Sequence, residues 1–370
     1  MTTAPFVWEK YCDELGPEKV VHLYDPQIGM RGFVVVDNTA CGPAIGGVRM
    51  AADVTMDEVF RLARAMTLKN AAAGLPHGGG KAGIMADPRS SDKARLIRSF
   101  ARSIREITSY IPGPDMGTDE SCMGWIRDEI GRSVGLPRVL GGIPLDELGA
   151  TGFGLARSAE VAAPFCQLKL QGARLAVEGF GNVGRPAAQR LAELGVKLVA
   201  ASDSKGAIYQ EQGIDVEQLI AAKHQSGSVT GYRQGTSIKP DDLFSVPCDI
   251  LIPAARPDCI HAKNAASIQA KLILQGANIP ATSEAETLLH QRRVVIVPDF
   301  IANAGGVICA SVEYHSGTQG MAFDTIAQKI RENTHDVLTR SKADKVEPRQ
   351  AAIDLARERV RSAMLLRKKD

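Results

Sequence analysis

One strand–turn–helix stretch constrains the fold of this chain more than any other. In "LAVEGFGNVGRPAAQRLAELGVKLVAASDSKG", Gly179, Gly181 and Gly184 form the pattern G-x-G-x-x-G between an apolar run and a helical stretch. The next apolar run ends at Asp203, at about the 20-residue spacing expected of the acidic residue in such a unit. Gly179 permits a tight turn, Gly181 lets a pyrophosphate approach the backbone, and Gly184 lets helix and strand touch. The stretch therefore predicts a dinucleotide-binding βαβ unit.

The residues at the end of the second run bear on the choice between NAD and NADP. Asp203 can accept hydrogen bonds from the adenosine ribose hydroxyls, which favours NAD. Ser204 and Lys205 follow directly, and a hydroxyl and a cation can instead hold the 2′-phosphate of NADP. Both cofactors therefore remain open, with a slight preference for NAD. Three further residues are assigned to the cofactor site: Asn182, Val183 and Ala254.

The second part of the chain has the pattern of a parallel β-sheet. From about Gly149, short apolar runs alternate with helical or looping segments: "ARLAVEGF", "VKLVAASD", "CDILIPAA", "AKLILQGAN" and "RRVVIVPDF". Such runs, bounded by turn residues, are typical of strands buried on both faces. They predict an α/β fold with a doubly wound Rossmann domain over 146–335. A first domain is expected at 1–145, with a C-terminal helical segment at 336–370 packing on it.

Composition excludes several classes of protein. The chain has 370 residues, a formal net charge of +2 and no dense basic block, so we expect no nucleic acid partner. No apolar run approaches the roughly 20 residues that span a bilayer, and the start lacks a signal-peptide pattern. The seven cysteines are scattered without a Cys-x-x-Cys pair, which favours reduced thiols, a cytoplasmic location and no metal site.

A second glycine-rich stretch, "AAAGLPHGGGKAGI", isolates one lysine. Lys81 follows three glycines and has almost no polar neighbours in sequence. A phosphate-binding P-loop is excluded, because Ala82 stands where that motif needs Ser or Thr. Two interpretations remain: a flexible loop with a solvated lysine, or a desolvated lysine whose proton affinity is reduced for chemistry.

A helix that begins after Thr55 brings a second lysine towards the same region. Thr55 and Glu58 stand at capping-box spacing, and Gly74 is expected to end the helix. Lys69 falls on the apolar face of this helix, so it either extends outward along its stem or points into a cleft.

The ordered motifs of the whole chain resemble the glutamate/leucine/phenylalanine/valine dehydrogenase family. These motifs are "GPAIGGVRM", "MTLKNAAAGLPHGGGKAGI", "GPDMGTDE", "GATGFGLA", "VEGFGNVG", "GANIPAT" and "ANAGGVICASVEY". The resemblance implies reversible oxidative deamination of an L-amino acid to a 2-oxo acid and ammonia, with hydride passing to NAD or NADP. It also implies a homo-oligomer, with the substrate, catalytic and oligomerisation roles in the domain at 1–145.

Matching positions of the family suggest roles for individual residues. Lys81 resembles the catalytic lysine, Asp115 its acid/base partner, and Lys69 the residue that binds the substrate α-carboxylate. Gly46 and Gly47, in "AIGGV", are expected beside the substrate. Three residues match positions around the nicotinamide and its ribose: Thr151, Asn278 and Asn303. Asn303 is also assigned to the substrate site.

The expected side-chain pocket departs from the glutamate-specific pattern. Glutamate-specific members carry a lysine at the position of Ile45 and a serine at that of Ala310, where both groups hold the distal carboxylate. Here both are apolar, and burying an unpaired carboxylate would cost several kcal/mol. Gly113 and Val307 complete a roomy pocket, and Ser311, one position off, is expected to point elsewhere. The pocket favours an apolar, bulky amino acid, aromatic or branched-chain.

Other substrates and one non-enzymatic role remain as alternatives. The stretch "GPDMGTDESCMGWIRDEIG" resembles glutamate-type members, so a glutamate dehydrogenase or a dehydrogenase of an unusual amino acid is an alternative. A non-catalytic nucleotide-binding relative is a third. The presence of Lys69, Lys81 and Asp115 together argues against the non-catalytic alternative.

Overall fold

The chain folds into two α/β units. The computed structural model describes residues 8–145 and 147–367. The first unit is made of three segments of the chain: Met1–Pro144, Val307–Ala322 and Leu355–Asp370. The second unit is made of two segments: Leu145–Gly306 and Phe323–Asp354.

These units differ from the predicted domain boundaries in two places. Residues 307–322, predicted in the nucleotide-binding domain, belong to the first unit, where the Glu313 carboxylate accepts backbone N–H groups of Leu136 and Ile143. Residues 336–354, predicted to pack on the first domain, belong to the second unit, where buried carboxylates hold Arg349. Only the last part of the C-terminal helix packs on the first unit.

The first unit contains a mixed sheet of five strands: β1 (Lys19–Asp25), β2 (Met30–Asn38), β3 (Ala44–Met50), β4 (Gly78–Ile84) and β5 (Tyr110–Pro114). Their order is β1-β2-β4-β3-β5. Strands β3, β4 and β5 run parallel, whereas β2 is antiparallel to both β1 and β4. Three helices accompany this sheet: α1 (Met56–Ala72), α2 (Lys93–Ser103) and α3 (Glu120–Ile130).

Helix α1 begins and ends as its sequence predicts. The Thr55 hydroxyl accepts the backbone N–H of Glu58, and Gly74 adopts a φ of 62° just after the helix. Val59 and Ala63 of the helix are buried against the sheet. The helix end that carries Lys69 is thereby fixed over the sheet.

The prediction that Gly78, Gly79 and Gly80 form a loop is wrong, because these glycines lie in the buried strand β4. A Cβ on Gly78 would stand 1.8 Å from the carbonyl oxygen of Asn38, and one on Gly79 would stand 2.0 Å from the backbone nitrogen of Thr67. The glycines therefore serve close packing of strands and of α1, and Lys81 stands on a rigid element.

The second unit contains a sheet of seven strands: β6 (Arg174–Glu178), β7 (Lys197–Asp203), β8 (Gly206–Tyr209), β9 (Thr236–Ile238), β10 (Ile250–Pro253), β11 (Leu272–Leu274) and β12 (Val295–Val297). Their order is β12-β11-β10-β6-β7-β8-β9. The five strands predicted from apolar runs pair in parallel, and β8 and β9 extend the sheet antiparallel at one edge. This is the predicted doubly wound arrangement, with the topological switch beside β6.

The later helices of the chain are α4 (Ala150–Ala162), α5 (Gly184–Glu193), α6 (Val216–Ser226), α7 (Ala262–Ala265), α8 (Ser283–Gln291), α9 (Asp299–Ala302), α10 (Gly305–Tyr314), α11 (Gln319–Asp344) and α12 (Pro348–Leu365). Most of α10 and the last part of α12 belong to the first unit. Within the described residues, none of the helices is both long and apolar enough to cross a membrane.

Candidate active site

In the first unit, the side chain of Lys81 lies beside a part of β3 where glycines leave the space free of side chains. Strands β3 and β5 pair so that Ile45 lies opposite Ile111 and Gly47 opposite Gly113. Residues two apart on a strand share a face. The Lys81 Nζ lies 3.1 Å from the position that a Cβ on Gly47 would occupy. The ammonium group therefore takes the space that the glycine leaves.

Lys81 belongs to a cluster of alternating charges. Its Nζ lies 2.7 Å from Oδ2 of Asp115, the residue directly after β5, and Nε of Arg49 lies 3.1 Å from the same oxygen. Arg49 also contacts the carboxylate of Glu58 in the first turn of α1. Lys81 is buried, and the Asp115 side chain is 18% exposed. Asp115 is thus held between two cations at the edge of a buried site.

The ionisation of this pair is shifted by its surroundings. Burial lowers the pKa of Lys81 below 10.5, and the attraction of Asp115 offsets only part of that shift. Burial opposes the ionisation of Asp115, but Lys81 and Arg49 together hold its pKa below 3.8. A lysine of reduced proton affinity beside an ionised carboxylate can pass protons to and from a bound ligand.

The two glycines of β3, Gly46 and Gly47, are required because neighbouring atoms occupy the space that a Cβ would take. A Cβ on Gly46 would stand 1.6 Å from the carbonyl oxygen of Gly80. One on Gly47 would stand 2.7 Å from Cβ of Asp115. A larger residue at either position would force apart the strands that carry Lys81 and Asp115.

An apolar patch begins two residues earlier on β3. Ile45, Ile111 and Val134 are buried together, and Ala310 and Tyr314 of α10 pack against them. Strand residues rise about 3.3 Å each, so the patch begins roughly 7 Å along the strand from the position opposite the lysine. The first unit therefore places the Lys81 ammonium group and an apolar patch on one face of its sheet.

Two other predicted pocket residues adjoin this patch. A Cβ on Gly113 would stand 3.2 Å from Cγ2 of Val134, so an alanine there would press on the patch. Val307 lies one helical turn before Ala310 and is half-buried. Both positions limit the space beside the patch.

Ser311, the polar residue next to Ala310 in sequence, is hydrogen-bonded to His77. Ser311 Oγ lies 3.0 Å from Nε2 of His77, and both residues are buried. Burial lowers the pKa of His77 to about 4, so this ring is neutral at physiological pH. The described members of the patch are aliphatic side chains and the Tyr314 ring.

Lys69 lies in the last turn of α1 and is half-buried. The helix passes so close to β4 that Thr67, two residues earlier, would collide with a Cβ on Gly79. The second predicted lysine is therefore carried over the strand that bears Lys81.

In the second unit, the three motif glycines differ in their surroundings. Gly179 adopts a φ of 91°, and a Cβ on it would stand 2.6 Å from that of Ala255. A Cβ on Gly184, the first residue of α5, would stand 2.2 Å from the carbonyl oxygen of Gly179. Nothing lies within 4 Å of the corresponding position on Gly181. The turn is closed on the protein side and open where a pyrophosphate would approach the helix N-terminus.

The carboxylate of Asp203 is held at the end of β7 by four groups. Its Oδ1 accepts hydrogen bonds from the backbone N–H of Lys205 and the hydroxyl of Ser228, each at 3.0 Å. Its Oδ2 accepts the N–H of Val229 at 2.8 Å and lies 3.1 Å from Nζ of Lys223. Burial opposes ionisation, but these backbone donors and Lys223 hold the pKa of Asp203 below 3.8.

A cleft of about 670 Å³ lies at the carboxyl ends of β6, β7 and β10. Five predicted cofactor residues line it: Gly179, Gly181, Asp203, Ser204 and Ala254. Four further charged residues line it as well: Glu178, Lys223, Asp241 and Arg256. An acidic group for ribose hydroxyls, cations and an open glycine turn make this cleft suitable for a dinucleotide.

A second group of predicted cofactor residues lies beside the cleft. Asn303 Nδ2 donates to Oδ1 of Asn278 at 3.1 Å and to the carbonyl oxygen of Gly276 at 3.3 Å. A Cβ on Gly276 would stand 3.1 Å from Val183 and 3.2 Å from Ala254. The two asparagines are therefore connected to the glycine turn through Gly276.

Three further residues predicted to bind the cofactor do not line the cleft: Asn182, Lys205 and Thr151. Asn182 and Lys205 are exposed and do not line the cleft. Thr151, in the first turn of α4, lies against Gly305, whose Cβ would stand 3.1 Å from Cα of Thr151.

Family models match most of the chain. The model described as Glutamate/Leucine/Phenylalanine/Valine dehydrogenase matches residues 141–368, and the Glu/Leu/Phe/Val dehydrogenase dimerisation domain matches residues 17–132. This chain belongs to the glutamate/leucine/phenylalanine/valine dehydrogenase family. A glutamate dehydrogenase of Aeropyrum pernix is 41% identical over 355 residues, which cover 89% of this chain and 85% of the relative. Further relatives, 38–40% identical, are also named glutamate dehydrogenases, one of them NADP-specific and another NAD-specific.

Solved structures agree with this membership. The hetero-hexameric glutamate dehydrogenase of Thermus thermophilus, in a leucine-bound form, is 30% identical with a TM-score of 0.82, covering 96% of this chain and 91% of that one. The L-tryptophan dehydrogenase of Nostoc punctiforme is 25% identical with a TM-score of 0.76, covering 95% of this chain and 98% of that one. The chain is an NAD(P)-dependent amino-acid dehydrogenase that acts on the CH–NH2 group of its donor.

The candidate site includes charged residues that sequence reasoning did not name as site residues. Arg49 stands two residues after Gly47, so the alternation of strand faces could have placed it beside Lys81. Glu58 was assigned only to the helix cap, whereas its carboxylate contacts Arg49. Lys223 gave no local signal, because it reaches Asp203 from the far end of α6. Tyr314 of the apolar patch lies one turn after the predicted Ala310.

Proposed function

We propose that this enzyme catalyses the reversible oxidative deamination of an apolar, bulky L-amino acid to its 2-oxo acid and ammonia. The observation that carries the proposal is the apolar patch of Ile45, Ile111, Val134, Ala310 and Tyr314 on the face that bears Lys81. An aromatic or branched side chain gains free energy when it is buried there. The distal carboxylate of glutamate would instead lose water against the aliphatic side chains of the patch.

In this proposal, Lys81 and Asp115 carry the proton transfers. Lys81 stabilises the charge that develops on oxygen as water adds to the imine to give the carbinolamine and polarises the carbonyl of the 2-oxo acid, and Asp115 accepts and returns protons at the amino nitrogen. Arg49 keeps the Asp115 carboxylate oriented and ionised. Lys69 binds the α-carboxylate, and Asn303 contacts the substrate and the nicotinamide ribose. The overall reaction consumes water and releases ammonia, with the hydride moving to NAD(P).

Glutamate is the second candidate substrate, because the curated relatives at 38–41% identity are named glutamate dehydrogenases. Overall identity reports descent, whereas selectivity follows from the groups that touch the side chain. The neutral His77 and its partner Ser311 supply no charge for a second carboxylate. The apolar patch therefore outweighs the names of the relatives.

We expect phenylalanine, leucine or a similar amino acid to exceed glutamate in kcat/KM by roughly a hundredfold or more, because an unpaired buried charge costs a few kcal/mol. Steady-state constants for an amino-acid panel test this.

The double variant Ile45→Lys, Ala310→Ser should raise kcat/KM for glutamate relative to the apolar substrates by supplying partners for its second carboxylate. The variant Gly113→Ala should penalise aromatic substrates more than short branched ones through its pressure on Val134. A wild-type enzyme that prefers glutamate would overturn the proposal.

We propose that the enzyme uses both NAD and NADP, with a slight preference for NAD. The Asp203 carboxylate can accept the ribose hydroxyls of NAD at the end of β7. Lys223 stands 3.1 Å from that carboxylate and also lines the cleft, so it offsets the repulsion that a 2′-phosphate would meet. Arg256 adds a second cation to the lining.

The variant Lys223→Gln should lower kcat/KM for NADP by about tenfold or more while lowering that for NAD less, since the cation is lost and the Asp203 charge is uncovered. Removing Asp203 should weaken NAD more than NADP. The matched control is Lys205→Gln, which removes an exposed lysine outside the cleft lining. Equal losses with both cofactors in Lys223→Gln would show that this lysine has no part in the choice.

We also propose that the protein is a homo-oligomer in the cytoplasm. The N-terminal family model is a dimerisation domain, and one similar structure is a hexamer. The cysteines among the described residues are free thiols, as a reducing compartment would maintain. Size-exclusion chromatography with light scattering tests the oligomeric state.

A further inference from the structure

Glu313 is a buried carboxylate in the helix that forms one wall of the apolar patch. It lies three residues after Ala310 on α10, so the two are neighbours on the helix surface. It is 9% exposed. Lone buried carboxylates are costly, so each usually has partners that stabilise its charge.

The partners of Glu313 are two backbone amides of one loop. The N–H of Leu136 donates to Oε1 at 3.0 Å, and the N–H of Ile143 donates to Oε2 at 2.9 Å. Within the described residues, Glu313 makes no ion pair. Each oxygen therefore fixes one end of the segment 136–143 to α10.

The same loop carries Val134, a member of the patch on the other side from α10 along the chain. Val134, two residues before Leu136, packs with Ile45 and Ile111, and its N–H donates to the carbonyl oxygen of Pro112 on β5 at 2.9 Å. The loop is thus hydrogen-bonded to β5 on one side of Val134 and to α10 on the other. Glu313 joins the wall that carries Val134 to the wall that carries Ala310.

We propose that Glu313 is a positioning residue that sets the separation of these two walls and thereby selects substrates by side-chain size. The inference rests on the proposed function, which puts the substrate side chain against the patch. A carboxylate has an acceptor for both amides, whereas the glutamine amide offers one oxygen and one NH2 group. In Glu313→Gln, one backbone N–H therefore faces a donor, and the loop moves away from α10.

Substrate selectivity is the readout that tests this role. Constants are measured for valine, leucine and phenylalanine with wild type, Glu313→Gln and Glu313→Asp. A wider pocket should raise the phenylalanine-to-valine ratio of kcat/KM in Glu313→Gln by about tenfold, the value of one methylene in such a pocket. The KM for NAD(P) should change less than about twofold, because the cofactor cleft belongs to the second unit.

A matched control separates selectivity from general destabilisation. Glu129→Gln removes another carboxylate of the first unit, one that pairs with Arg98 and Arg102 away from the patch, and it should leave the ratio unchanged. An unchanged ratio in folded Glu313→Gln overturns the inference, and if that variant does not fold, an unchanged ratio in Glu313→Asp does so. A wild-type preference for glutamate overturns the proposed function instead. An apolar preference with no effect at Glu313 overturns the inference alone.

Discussion

The variant Lys81→Ala is expected to lower kcat by about 10³-fold or more with the best substrate, while the protein still binds NAD(P). General acid–base groups contribute roughly 10² to 10⁴ to a rate, and this lysine also stabilises charge as the carbinolamine forms. Asp115→Asn should have a similar effect, since it removes the proton acceptor that lies 2.7 Å from Nζ. Stopped-flow single turnovers measure the chemical step, and nucleotide fluorescence titration measures cofactor binding.

Two control variants separate chemistry from charge and from folding. Lys81→Arg keeps the cation but no longer titrates near working pH, so residual turnover should lose the pH limb that Lys81 deprotonation gives. Because burial lowers the pKa of Lys81, that limb should lie below 10.5 in wild type. Lys93→Ala removes a lysine from a surface pair with Asp119 in the same unit and should leave kcat nearly unchanged. Near-normal turnover in Lys81→Ala would contradict the assigned role.

The nucleotide-binding sheet could be predicted because its signals are local. Each parallel strand is a short apolar run between turn residues, and Gly179, Gly181 and Gly184 mark the turn that follows the first of them. Strands β8 and β9 were missed because "GAIY" and "TSI" are short, and pairing at the sheet edge decides their conformation.

The glycine strand β4 shows why some local signals mislead. Gly78, Gly79 and Gly80 have little intrinsic preference for a strand, and a run of glycine normally indicates a loop. Their need for minimal side chains comes from Asn38, Thr67 and other residues far along the chain. Packing between distant elements, which no local pattern encodes, overrides the propensity.

The site could be predicted as a set of residues but not as a network. Lys81 and Asp115 lie in recognisable sequence motifs, and the structure brings them into contact. Arg49, which pairs with Asp115, and Lys223, which pairs with Asp203, are ordinary basic residues in sequence, and their roles depend on which carboxylate they reach. An ion pair between elements is a property of tertiary geometry.

The C-terminal helix shows a similar limit. The sequence predicts that the whole segment 336–370 packs on the first domain, whereas residues 336–354 belong to the second unit. Arg359, in the last part of α12, donates to the carbonyl oxygens of Ala71 and Ala72 at the end of α1. Arg349, at the start of α12, is instead surrounded by groups of the second unit.

The surroundings of Arg349 form a buried polar network. Its Nε lies 2.6 Å from Oε2 of Glu286, its Nη1 lies 2.9 Å from Oδ1 of Asp299, and Nη2 donates to Oε1 of Gln275 at 2.7 Å. The Glu286 and Asp299 side chains are only 4% and 8% exposed. Asp299 Oδ2 also accepts the N–H of Ile279, an exposed residue with a φ of 48°. A β-branched residue in the left-handed region is strained, so the network holds a turn that would otherwise relax.

Replacing Arg349 with methionine should therefore lower the free energy of unfolding by about 3–5 kcal/mol, because it leaves two buried carboxylates without their cation. Urea denaturation followed by circular dichroism measures the loss. Adding Glu286→Gln to that variant should recover part of the stability, since it removes one of the orphaned charges. The matched control is Arg331→Met, which breaks a pair with Glu160 in the same unit, where Arg331 is 44% exposed, and should cost no more than about 1 kcal/mol. If Arg349→Met and Arg331→Met were equally mild, the network would not stabilise the second unit. If Glu286→Gln deepened the loss, the methionine variant would be unstable for a reason other than uncompensated charge.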